Sequence, residues 1–120
     1  MPDKGQPVEL TPHQAVEQFE REAKEKPTDA ETLMELGAAY YIAHRWDEAI
    51  GAFEKAVSLK PDLGHAHYYL GVLYAAKGDK DRAQKELQAV IKVGNNPILV
   101  AQAQARIPMV HSPAELAGNS

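Results

Sequence analysis

Two histidines one residue apart, His65 and His67, and two adjacent carboxylates, Asp47 and Glu48, are the pairings in this chain that could do chemistry. A histidine pair that holds a metal from one helix needs a spacing of three or four, since such residues share a face. At a spacing of two, His65 and His67 would point about 200° apart, and no third ligand follows at ligand spacing. His67 reads instead as a half-buried packing residue. Asp47 and Glu48 could form an acid–base pair. They stand where a helix begins, however, and carboxylates in a first turn already stabilise the helix dipole. His44 and Arg45 fall at a helix C-terminus, where positive charge is favourable, while His13 sits in a first turn and His111 in the tail. No nucleophile elbow, phosphate-cradling glycine loop or HExxH zinc motif is present. The chain has no cysteine, which removes thiolate ligands, cysteine nucleophiles and disulfides. These residues imply no catalytic group, no metal and no cofactor: a non-enzymatic chain.

The elements that must position these side chains are helices. Thr11-Pro12-His13-Gln14 has a capping threonine, a proline at the first helical position and a glutamine at the third. Ala15, Val16, Phe19 and Ala23 then make one apolar stripe at helical spacing. Breaks fall at 26–29, 60–64, 78–79 and 94–97, and Pro108 opposes continuation of the last segment. Six helices are expected, at 12–26, 30–43, 46–59, 65–77, 81–93 and 97–107, with no strand-like alternation between them.

These helices repeat. Displaced by 34, Leu36 falls on Leu70, Gly37 on Gly71, Tyr40 on Tyr74, Asp47 on Asp81 and Ala49 on Ala83. Phe53 falls on Leu87, Ala56 on Val90, Val57 on Ile91 and Leu59 on Val93. In the other direction Ala49 falls on Ala15, Phe53 on Phe19 and Pro61 on Pro27. The stretches "LMELGAAY" (33–40), "AIGAF" (49–53) and Pro61 fit the pattern W-x2-L-G-x2-Y, A-x3-F, P, with Leu33 in place of tryptophan. The second copy reads "HYYLGVLY" (67–74) and "AQKEL" (83–87), with Asn95 in place of the proline. The chain resembles the tetratricopeptide repeat family from residue 12 to about 107.

That resemblance implies an all-α fold, a short right-handed α-solenoid of antiparallel helix pairs. Its parts would be a flexible N-terminus (1–10), a repeat domain (11–107) and a tail (108–120). Within the domain lie a leading half unit (11–27), full repeats at 30–63 and 64–97, and a closing helix (97–107). Gly37 with Ala49, and Gly71 with Ala83, would be small residues at the helix crossings. Leu36, Tyr40, Phe53 and Ala56 would fill the space around the first. Tyr40, Tyr74 and Trp46 read as packing residues. The leading helix lacks a preceding partner, and Glu22, where the repeat has Ala56, fits a surface left wet by that absence.

The face opposite the core stripe is the more informative one. "GAAYYIA" (37–43) carries no charge on any side, and a helix apolar all round is normally covered on more than one side. Met34, Ala38, Tyr41 and Ile42 are not needed for the core. The second repeat offers Tyr68, Tyr69, Val72, Ala75 and Ala76, and the closing helix Gln102 and Arg106. In the family these faces line a concave groove that binds peptides or partner helices. The expected binding residues are therefore Met34, Ala38, Tyr41, Tyr68, Tyr69, Val72 and Arg106. Some family members clamp a peptide C-terminal carboxylate with lysine, arginine and asparagine. The matching places here are Met34, Ala38, Tyr69, Gln102 and Arg106, of which only Arg106 is basic, so that clamp is absent. An apolar, tyrosine-rich groove suits an amphipathic helix or an extended apolar segment.

Three occupants compete for this surface: a protein or peptide partner, the tail with Met109, Val110 and Leu116, and a second copy in a weak homo-oligomer. The net charge of −4 argues against nucleic acid. Residues 1–29 and 30–63 each carry −3 and residues 64–97 carry +2. This asymmetry could favour head-to-tail contacts or simply mark solvated faces. No stretch approaches the roughly 20 apolar residues of a membrane span. "MPDKGQPVEL" has no signal-peptide core, so a cytoplasmic setting is expected.

Overall fold

In the computed structural model, which describes residues 10–110, the first helix opens as a reciprocal cap. The Gln14 N–H donates to Thr11 Oγ1 at 3.1 Å, and the Thr11 N–H donates to Gln14 Oε1 at 2.9 Å. Two orphan donors of the first turn are thereby satisfied. Six helices follow in order: α1 (Pro12–Glu25), α2 (Ala30–Ile42), α3 (Trp46–Leu59), α4 (Gly64–Lys77), α5 (Lys80–Val93) and α6 (Pro97–Arg106). Asp29, Asp79 and Asn96 cap α2, α5 and α6 through their side chains. Helix α3 has no side-chain cap and opens instead on Trp46, Asp47 and Glu48. The last helix stops at Arg106. Pro108 then lies within a 3-10 turn, Ile107–Met109, rather than beyond a helix reaching 107.

Neighbours in sequence are neighbours in space: α2 pairs with α3 and α4 with α5, while α1 packs on α2, α3 on α4 and α5 on α6. The result is a short α-solenoid, with no strand among the described residues. The expected pairing of small residues is found at Gly71, where a built Cβ would lie 3.4 Å from the Ala83 carbonyl oxygen, but a bulky side chain comes nearer still in each hairpin. A Cβ placed on Gly37 would lie 2.8 Å from the Phe53 ring. One placed on Gly71 would lie 2.8 Å from the Leu87 side chain. The glycine thus faces the bulky residue one turn beyond the motif alanine, and Phe53 and Leu87 are buried against it.

Successive hairpins are tied by a contact that recurs. The Tyr40 hydroxyl donates to Glu20 of α1 at 2.7 Å, and the Tyr74 hydroxyl donates to Glu54 of α3. Burial, and then the carboxylate acceptor, push both phenols up to about 12, so both remain neutral donors at ordinary pH. A guanidinium lies over each ring, Arg45 at 5.0 Å from the Tyr40 centroid and Arg82 at 5.5 Å from that of Tyr74. At the far end the 3-10 turn folds Val110 back into the core, where Gln84 of α5 donates to its carbonyl. Residues beyond 110, including His111 and Leu116, lie outside the described residues, as does most of the expected flexible N-terminus.

The glycines make opposite predictions. Gly51 sits inside α3 with nothing within 4 Å of a built Cβ. Gly51→Ala should raise stability by about 0.5–1 kcal/mol, the penalty for glycine inside a helix. Gly37→Ala should lower it by about 1–3 kcal/mol through overpacking on Phe53. Urea unfolding of the two variants beside the parent chain measures both signs.

Candidate functional site

The apolar surface is built on α2 and α4, and a turn makes its upper wall. Helix α2 ends with the Arg45 N–H donating to the Tyr40 carbonyl at 2.9 Å and the His44 N–H donating to that of Tyr41 at 3.1 Å. This double closure turns the chain sharply and brings Trp46, the first residue of α3, back over Tyr41. Their ring centroids are 5.4 Å apart, edge to face. Tyr41 also meets Tyr69 of α4 at 5.1 Å, and Tyr69 lies parallel on Phe53 at 5.0 Å. Below these rings is a cavity of about 220 Å³ lined by Tyr41, Trp46, Val72, Leu73, Ala76 and Lys77. Lys77 is the one charged group in that lining, and it is paired with Asp47 across the gap between α4 and α3.

The seven sequence-predicted residues divide between several places. Tyr41 and Val72 share the cavity wall. Tyr69 is half-buried behind it, joining Tyr41 to the core through Phe53. Tyr68 lies one turn before Val72 and accepts a hydrogen bond from Arg106 Nε at 2.5 Å. Ala38 packs against the core cluster. Met34 packs against the same cluster. It also lines a polar hollow with Lys60, Asp62, Leu63, His65 and the Asn95–Asn96 turn. Trp46, expected to pack, does so on Tyr41, yet it stays 42% exposed and forms part of the wall, a role that helix periodicity alone does not reveal. The spacing of the closing helix also shifts. The loop before α6 is one residue shorter than the loop before α4, so buried Leu99 and Ala103 fall one residue early against Ala66 and Leu70. Arg106 reaches Tyr68 because a helical side chain leans toward the N-terminus.

Comparison with known proteins places this arrangement. Two family profiles described as tetratricopeptide repeat match residues 41–107 and 12–64. The chain belongs to the tetratricopeptide repeat family. The crystal structure of MamA is similar with a TM-score of 0.75 and 26% identity, over 82% of this chain and 56% of that one. Superkiller protein 3 of Schizosaccharomyces pombe is 27% identical over 73% of this chain and 6% of its own length. Interferon-induced protein with tetratricopeptide repeats 2 of Cricetulus griseus is 31% identical over 54% of this chain and 14% of its own. The chain therefore spans a small part of these curated relatives. Tetratricopeptide repeats generally mediate protein–protein interactions. No helix among the described residues is long and apolar enough to cross a membrane.

In the tetratricopeptide frame His67 takes the place of Leu33, but it is not simply a packing residue. Its Nδ1 lies 2.7 Å from Glu86 of α5 and its Nε2 lies 2.7 Å from the Pro61 carbonyl. Both partners accept when Glu86 is ionised, so both ring nitrogens carry protons and the imidazolium is the form that fits. The bond to Glu86 holds the His67 pKa above its usual range, against the opposing effect of burial. His65, two residues earlier, is exposed beside the polar hollow.

A histidine pKa raised by folding adds stability fully present below the unfolded value, about 6.5, and lost as pH climbs through the raised one. The melting-temperature gap between the parent chain and Glu86→Gln should thus be widest below pH about 6.5 and close as pH climbs through the raised folded-state value. His67→Leu combined with Glu86→Ala restores the Leu33 and Ala52 pairing of the first repeat, and its stability should lose this pH dependence. Thermal melts across a pH series check both outcomes.

Proposed function

We propose that this chain is a non-enzymatic interaction module whose groove captures an apolar segment, helical or extended, carrying an acidic neighbour. The observation that carries the reading is the cavity beneath Tyr41 and Trp46, walled by apolar side chains and open to the outside. Its volume suits one bulky apolar side chain. Tyrosine and tryptophan walls favour such a role, since they offer large contact area with little entropy to lose.

The acidic neighbour follows from the two cations bordering the groove. Lys77 stands at the cavity rim. Its partner Asp47 is 81% exposed, and an exposed ion pair of this kind is worth little. An arriving carboxylate can therefore share or replace Asp47. Arg106 stands on Tyr68, about 6 Å along α4 from Val72, and makes no ion pair with a carboxylate among the described residues. The two cations suit a partner with carboxylates flanking its apolar anchor.

Selection of a random dodecapeptide library on the parent chain, with counter-selection on Tyr41→Ala, tests this reading. The enriched sequences should share a bulky apolar residue with an acidic one close by. Amide shifts on binding should centre on Tyr41, Trp46, Val72 and Ala76. Tyr41→Ala should weaken the selected peptides on the order of tenfold, as loss of a central aromatic anchor does. Enrichment of basic sequences, or shifts centred on the polar hollow around Met34, would sink it.

A further inference from the structure

We infer that His44 is a positioning residue, kept in a strained backbone conformation so that its ring holds Trp46 as the wall of the binding cavity. The inference rests on the groove reading above. It starts from one turn that the chain builds twice. At the end of α4 the Asp79 N–H donates to the Tyr74 carbonyl at 2.9 Å and the Gly78 N–H donates to that of Ala75 at 3.1 Å. Shifted by 34 residues, these are the two bonds that close α2. The central residue must be left-handed in both, and φ is +87° at Gly78 and +61° at His44. Glycine takes this conformation without penalty and is the usual residue there. Histidine tolerates it better than most side chains, yet it remains strained.

What the first turn gains is a second face for the indole. The His44 and Trp46 ring centroids lie 5.0 Å apart at 85°. With Tyr41 on the other contact, the indole is fixed by two edge-to-face neighbours. Trp46 opens a helix and is only part-covered, so without both rings its χ angles would be free to swing it off the cavity. The second repeat lacks the need. Lys80 stands in the place of Trp46, and its ammonium turns back to the Ala75 carbonyl. There the turn carries glycine. The side chain at the strained position thus matches the presence of an indole to hold. A fixed indole edge selects a bulky apolar side chain that fills the cavity to that wall.

Trp46 is the single tryptophan of the chain, so its emission reports the wall directly. The experiment compares the parent chain with His44→Gly, His44→Asn and Tyr41→Ala. It uses acrylamide quenching, thermal melts and titration with the apolar anionic probe anilinonaphthalene sulfonate. His44→Gly should melt no lower than the parent, because its backbone strain is relieved. Quenching of Trp46 should increase in both His44 variants, since asparagine tolerates the turn but brings no ring. Probe affinity should fall about two- to tenfold, the range that one edge-to-face aromatic pair is worth. Unchanged quenching in both His44 variants would overturn the positioning role, as would a clear drop in the melting point of His44→Gly. Increased quenching with unchanged probe affinity would overturn the role in binding. Equal probe affinity in the parent and Tyr41→Ala would instead sink the groove reading, leaving the quenching comparison to judge the position of Trp46 by itself.

Discussion

One close approach sets the geometry of this array: the backbone of a first-helix glycine against a bulky side chain of the second. At Gly37 the neighbour is Phe53, and at Gly71 it is Leu87, each so near that no Cβ fits. That contact fixes how deeply two helices cross, and other features inherit from it. It places Tyr40 and Tyr74 where their hydroxyls reach the glutamate of the preceding helix. It leaves Tyr41 of α2 and Val72 of α4 on the wall of one apolar cavity. Phe53 takes part twice. Having set the crossing of the first hairpin, its ring receives Tyr69 from the next. The residue that closes one unit therefore supports the groove built by its neighbour.

Where the two repeats differ, they differ in matched pairs. Arg45 and Glu48 form an ion pair at the start of α3, and Asp79 and Arg82 form one at the start of α5. The same two positions hold the charges in reversed order. Both arrangements still bring a guanidinium over the motif tyrosine. Leu33 and Ala52 are buried apolar residues in the first repeat. The corresponding places in the second hold His67 and Glu86, which bond to each other. A lone histidine or a lone glutamate there would leave an unpaired polar group partly out of water, which is costly. Both changes make sense as units, since each partner supplies what the other lacks.

This pattern explains what could be read from the sequence and what could not. The six helices follow from caps, breaks and apolar stripes, which are local signals. The hairpin array follows from identities in register, above all Leu36, Gly37 and Tyr40 with their copies. Matched differences leave no such trace. Comparison by identity passes over Leu33 against His67 and Ala52 against Glu86, because the meaning lies in the pair. The tyrosine–glutamate ties were nearer to hand, as Glu20 and Glu54 stand 34 residues apart. Each glutamate belongs to the helix before the repeat it serves, however, so a unit-by-unit comparison divides the contact. Trp46 is hidden for another reason. Its direction is set by a left-handed turn at His44, and a histidine does not announce positive φ as glycine does. The polar surroundings that Met34 also meets were not legible, since they come from two distant loops.

Core and groove share the same two helices, which makes their independence a matter of angle. Tyr40 and Tyr41 are adjacent, so their side chains leave α2 about 100° apart, one toward Glu20 and one toward the cavity. A change at Val72 can alter the cavity wall while leaving the glycine crossing untouched. Tyr69 cannot be separated in this way. It touches Tyr41 on one side and lies on fully buried Phe53 on the other. A displacement of Tyr41 would therefore reach, through Tyr69, the residue that sets the first helix crossing. The cavity wall is thus mechanically connected to the packing of the hairpin beneath it, through one stacked ring.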